Sequence, residues 1–378
     1  MTTAIDTLTA AFNDAFAHLG ESADLDRHVV VTSWPSVPVE VIRASRLRLV
    51  VAKGSTVATP LADGHLEPGL FPARLRQLVD AALAGRLAHV ARIVIPRTSD
   101  PDYKCFLYLR EFVRLGLAGA MAPTALFDLL HSDGAHVGRY DVERTHALLD
   151  VLADASGHRP SNDELRAEIE LTNAARAAAR RLVALRRGAP RVSGKEAFPL
   201  LGAFWHVPPG EYAALANQAA EDLASRPPLR APRVLLAGAP VDGIDLHAAI
   251  ESRGAVVVDE LSPWSGPAAG DDVPCDEDPI AALAEAYRRR SIGPRLPAGA
   301  MRDRAERVLD HIDAVVVSLP EDDATFGWDY PALRDRLTAR GVPHAVLRGD
   351  PHRLLTPADG QRLDSLVEAA ERRPSHHG

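Results

Sequence analysis

Apolar positions along this 378-residue chain fall into two regimes: short, wholly apolar blocks rich in valine, and longer stretches with apolar residues every three or four positions. Blocks of four to eight apolar residues suit strands buried on both faces, and the longer period suits amphipathic helices. The chain opens with Ile5, Leu8, Phe12, Phe16 and Leu19 at helical spacing. HVVVTSW (28–34) and LRLVVA (47–52) then read as strands, joined by VPVEVIRASR, which has helical length and a proline near its start. FPARLRQLVDAALAG (71–85) predicts a helix stopped by glycine, HVARIVIP (89–96) a strand, and 102–116 another helix.

The middle lacks strand signals. Residues 141–188 read as helical throughout, with Ser161 and Glu164 spaced as a capping box. One more helix lies between two proline-rich stretches, VPPGEY and SRPPLRAPR, and the second stretch predicts a domain boundary. Alternation then resumes: strand 233–240, helix 245–254, strand 255–260, helices 278–290 and 302–312, strand 313–320, helix 330–341, strand 343–349 and a closing helix before PSHHG, an end expected to fray. The expected class is α/β, with two doubly wound parallel sheets: a first domain over 1–140, a helical segment over 141–228 and a second domain over 229–378.

Composition adds exclusions. Hydrophobic residues make up 46% and charged residues 25%, which fits a globular chain, and the net charge of −8 speaks against nucleic acid as a partner. With no long apolar span and no basic leader ahead of an apolar core, the chain reads as cytoplasmic, with no membrane partner. Cys105 and Cys275 are the only cysteines, far apart and in no CxxC arrangement, so no metal site is expected.

Ligands of open parallel sheets sit beyond the carboxyl ends of the strands, which directs attention to 33–36, 98–103, 238–243, 259–264 and 318–328. In TSDPDYK, Asp100 could serve as a general base and Ser99 as a nucleophile or ligand; a helix N-cap followed by proline explains the same residues. Gly238 and Pro240, in AGAPVDG, either hold a phosphate or carboxylate at the following helix or form a plain turn. His206, in FWHVPPGEY, is a candidate for acid–base work or a packed histidine. Arg288 and Arg290 could clamp a phosphate-bearing cofactor such as coenzyme A, or simply complement the helix dipole.

The order of these pieces resembles one family. SVPVEVIRASRLRLVV, FPARLRQLVDAALAGRLAHVARIVIPRTSDPDYK, RVLLAGAPVDGIDLHAAIESRGAVVVDE, DPIAALAEAYRRR, RVLDHIDAVVVSLP and DYPALRDRLTARGVPHAVLRGD follow the succession found in 2-hydroxyacyl-CoA dehydratases and benzoyl-CoA reductases, from about residue 28 to 372. The resemblance implies two flavodoxin-like halves, an acyl-CoA thioester as substrate, and a heteromer of two similar subunits. It also implies three cysteines per subunit around an iron–sulfur cluster. Those cysteines correspond to positions near Leu70-Phe71, at Ser99, and near Phe326-Gly327, and none is cysteine here. Thiolates hold such clusters, and these side chains cannot replace them. The expectation is therefore a cluster-free subunit of an acyl-CoA lyase. A [4Fe-4S] cluster would sit only in a cysteine-bearing partner, and no cofactor would be bound by this chain. The alternatives are a metal-independent acyl-CoA hydratase or lyase, and a non-catalytic scaffold.

Overall fold

Strands covered on both faces need apolar side chains at successive positions, and the valine-rich blocks supply them. The computed structural model describes residues 2–373 apart from positions 133, 267, 276, 277, 298, 322, 324, 351, 353 and 354, so PSHHG lies outside the described residues. Its first half carries β1 (Val29–Thr32), β2 (Arg48–Val51), β3 (Arg92–Pro96) and β4 (Thr124–Phe127). The second half carries β5 (Arg233–Gly238), β6 (Val256–Glu260), β7 (Ala314–Leu319) and β8 (His344–Arg348). Both sheets are parallel and share one order, β2-β1-β3-β4 and β6-β5-β7-β8, the doubly wound, flavodoxin-like pattern.

Each strand sends alternate side chains to different layers. Val29, Val31, Ile93 and Ile95 face an outer layer with Leu75, Leu78 and Leu109 from helices Ala73–Leu83 and Asp100–Arg114. Leu235, Ala237, Val315 and Val317 do the same on the far side of the second sheet, against Leu333 and Leu337 of Phe326–Ala339. The opposite faces, with Val30, Val94, Val234, Leu236 and Val316, meet one shared core. Helices Ala4–Asp14, Asn162–Ala184, Gly194–Gly202 and Pro209–Ala224 contribute to it with Phe12, Leu182, Phe198 and Tyr212. One continuous apolar layer thus joins the halves, at about 1.5–3 kcal/mol for each large side chain removed from water.

Several expectations change. The 141–188 stretch is two helices, Ala135–Ser156 and Asn162–Ala184, because Gly157 adopts a left-handed conformation that ends the first. Ser161 and Glu164 do cap the second reciprocally. The helix expected over 302–312 is Ala300–Glu306 followed by a short 3₁₀ turn, Leu309–His311, and the strand expected to reach residue 240 ends at Gly238. β4 had no counterpart in the sequence reading, since TALF is short and follows a proline. Helix Gly194–Gly202 also escaped it, because Pro199 interrupts its pattern.

β5 and β7 meet at Gly238, where φ is +93° and a Cβ would stand 2.2 Å from the Ser318 carbonyl oxygen. Gly238→Ala should therefore destabilise the chain by about 2–4 kcal/mol from combined clash and left-handed strain. Urea unfolding followed by circular dichroism checks this.

Candidate functional site

In a sheet of this order the chain turns from one side to the other between β1 and β3, leaving a crevice at their carboxyl ends. Ser33 follows β1, Thr98 and Ser99 follow β3, and all three hydroxyls turn onto one carboxylate. Asp102, fully buried in the first turn of helix Asp100–Arg114, accepts from Ser33 Oγ at 3.0 Å, Thr98 Oγ1 at 2.6 Å and Ser99 Oγ at 2.6 Å. Arg74 closes the knot from helix Ala73–Leu83, donating to both carboxylate oxygens at 2.8 and 3.2 Å while its guanidinium lies over the Trp34 ring. A carboxylate with two ionic and three hydroxyl donors has its lone pairs filled.

Ser99 also accepts from the Asp102 N–H, so it is the helix N-cap, with Pro101 in the first turn. Its hydroxyl is committed to the Asp102 carboxylate, whose other lone pairs are taken by Arg74, Ser33 and Thr98, so it serves as a cap within the knot. Asp100 stands exposed at the first helical position, outside the knot. His206 belongs to a separate environment: its ring packs on Trp264, and burial, reinforced by Lys53, drives its pKa down to about 3. Ser99, Asp100 and His206 therefore do not form one constellation.

The expected phosphate clamp is spent internally as well. Arg288 forms a two-pronged pair with Glu285 at 2.8 Å, and Arg290 reaches the Asp271 carbonyl, with its charge disfavoured by burial. Pro240 sits half-buried in the turn after β5, while Gly238 serves the approach of the strands. At the end of β6 Glu260 is consumed by Arg186, and in the loop that follows Ser262 Oγ donates to the Val241 carbonyl at 3.0 Å. Cys105 is fully buried in the outer layer, where desolvation and then Asp102 push its thiol pKa upward; Cys275 is half-buried beside the Val273 carbonyl. At the positions where the resemblance places cluster ligands stand Leu70 and Phe71, the latter buried and edge-on to Tyr108, the committed Ser99, and Phe326 with Gly327 at a helix start. That donor set does not fit an iron–sulfur cluster.

A second buried charge lies across the crevice. His352, beyond β8, is held at 2.5 Å from Asp242 on Nε2 and 2.9 Å from Asp245 on Nδ1. Asp242 also accepts from the Gly54 N–H at 3.0 Å, tying the second half to the loop after β2. Residue 54 has to be glycine, since a Cβ would come within 2.4 Å of the His352 ring. Burial opposes the imidazolium, but the hydrogen bonds to Asp242 and Asp245 and the nearby carboxylates outweigh it and raise its pKa to about 10.

Sequence reasoning missed Arg74, Asp102, Asp242 and His352. Ser99 and Asp102 carry the N-cap/N3 spacing, and Asp242 lies inside the AGAPVDG turn, but nothing local pairs position 242 with 352 or 74 with 102. A wider surface groove runs beside β8 and helix Pro357–Glu371. It flanks an edge strand instead of converging on strand ends, so the candidate site is the crevice.

Removing one partner of a buried pair leaves an uncompensated charge, so Arg74→Met should cost about 3–5 kcal/mol, whereas Arg74→Met with Asp102→Leu should recover much of that loss. Denaturant titration of both variants checks the pair. The His352 contribution has the opposite pH sense to that of a paired carboxylate. Its folded pKa lies above the free value of 6.5, so its stabilisation is complete below about pH 6.5 and is lost as pH rises through about 10. The stability gap between the native chain and His352→Asn should be widest near pH 6 and shrink from pH 7 to 10, as read by urea unfolding at each pH.

No match is found among curated proteins. The family model described as 2-hydroxyglutaryl-CoA dehydratase, D-component, matches residues 36–368, from just after β1 through β8 and into the closing helix, and the chain belongs to that family.

Proposed function

We propose that this chain is the cluster-free subunit of a 2-hydroxyacyl-CoA dehydratase-like or benzoyl-CoA reductase-like heteromer, working in the cytoplasm. On this reading it binds an acyl-CoA thioester in the interdomain crevice, and a homologous, cysteine-bearing subunit holds the [4Fe-4S] cluster and supplies the electron chemistry. The observation that carries the reading is the Asp102 knot: at the position of a family cluster cysteine, Ser99 and its neighbours direct hydroxyls and a guanidinium onto a carboxylate. The description of the family as a component of a dehydratase supports a multi-subunit setting.

This chain's role would be to shape and dry the crevice. Arg74 and Asp102 cancel each other's charge, leaving a rigid polar wall with no thiolate to transfer electrons. A metal-independent hydratase would need an acid and a base facing one substrate, and Ser99, Asp100 and His206 stand in separate environments. No described helix is long and apolar enough to cross a membrane, in keeping with the proposed compartment.

The test is anoxic production of this chain alone and together with a cysteine-bearing relative from the same genome. The chain alone should carry no iron and show no turnover. The pair should co-purify, with iron assigned to the partner, and calorimetry should detect acyl-CoA binding. Stoichiometric iron in the chain alone would overturn the cluster-free reading; turnover in air by the chain alone would favour the hydratase, and absence of acyl-CoA heat in the pair the scaffold.

A further inference from the structure

The crevice of the first half is roofed by the second. Residues 291–297, which follow helix Pro279–Arg290, cross the carboxyl ends of β3 and β4, with Gly293 against the Thr98 carbonyl. Arg295 then reaches down, donating to Asp128 Oδ1 at 2.6 Å and to the Arg97 carbonyl at 2.8 Å. Arg97 donates to the other Asp128 oxygen at 3.1 Å, and its guanidinium stacks on Tyr103. Asp128 is only 11% exposed at its side chain, so this is a desolvated contact and not a surface pair.

Beneath the roof is a void with room for little more than a water molecule, between the apolar Phe127 and Leu129 and the polar Ser36, Thr98, His131 and Ser291. His131 Nδ1 is buried without a hydrogen-bond partner, and burial together with Arg295 brings the ring's pKa down to about 4, so the imidazole is neutral. A neutral imidazole with an open Nδ1 among hydroxyls and apolar walls suits an uncharged polar group on a short acyl chain, and such a chain needs more space than the closed void gives.

We infer that residues 291–297 are a gate over a chamber for the acyl end of the ligand, latched by Arg295 on Asp128. The identity of the ligand rests on the function proposed above; the gate does not. Arg295 holds the segment to the strand-end loops of the first half, at Arg97, Asp128 and Leu129, and the buried Ile292 of the same segment packs near Gly266.

A thiol placed under the roof tests this without any ligand. In a Cys275→Ser background, Ser36→Cys should react slowly with an aromatic disulfide reagent. Adding Arg295→Gln, or separately Asp128→Asn, should speed the reaction at least about tenfold, the scale expected for loss of a charge-assisted hydrogen bond. Cys105, fully buried in the outer layer, must stay unreactive in every variant and so reports any general unfolding. Equal rates with and without the latch would overturn the gate. Crotonyl-CoA at 1 mM should slow labelling in the Arg295→Gln variant about fivefold or more, with free coenzyme A less effective, if its acyl end fills the chamber. Faster labelling without such protection would uphold the gate while removing the acyl-CoA assignment.

Discussion

A carboxylate with no contact with water must be neutralised where it lies, and the crevice is arranged around that constraint. Asp102 draws Arg74 from one helix, Ser33 from the end of β1, and Thr98 and Ser99 from the end of β3. Because a buried charge without its partner is far more costly than a missing surface pair, these elements hold one relative position. The switch point of the first sheet is thereby fixed.

The same rule recurs through the shared core. Glu40, on helix Val39–Ala44, pairs with Arg176 of Asn162–Ala184 and accepts from the Tyr287 hydroxyl of Pro279–Arg290 at 2.8 Å, so one carboxylate joins the first half, the middle helices and the second half. Glu260 pairs with Arg186 and approaches His247, and Asp242 pairs with His352. Burial raises the cost of each charge, yet the net effect on Glu40, Asp242 and Glu260 is a pKa below the usual carboxylate range, since the cations beside them win. The apolar layer is continuous across both halves, and these ion pairs bridge the elements that bound it.

The proposed function rests on what the knot presents at a strand end. A strand end that could present a thiolate to a metal presents hydroxyls already bonded to a carboxylate, and the space around them is closed from above by Arg295. The chain keeps the scaffold of its family; on the proposed reading its own side chains offer positioning and exclusion of water, and the redox chemistry resides in a partner.

Strand blocks, helix periods, the Ser161 cap and the repeated βαβ order were determined by local residue chemistry, because period and capping depend on neighbours within a few positions. The resemblance in the order of those pieces was legible for the same reason. TALF and the Pro199-containing helix were not, since their signals are too short or contradictory and tertiary contacts stabilise them. Of the candidate site, the sequence marked Ser99 and the turn after β5, yet left both cap and catalyst open. The three-dimensional fold decided for the cap by bringing Arg74 and Ser33 to Asp102, and it joined Asp242 to His352 across 110 residues. Charge pairing acts through space, and residues far apart in the chain carry no local mark of the partner that burial will force on them.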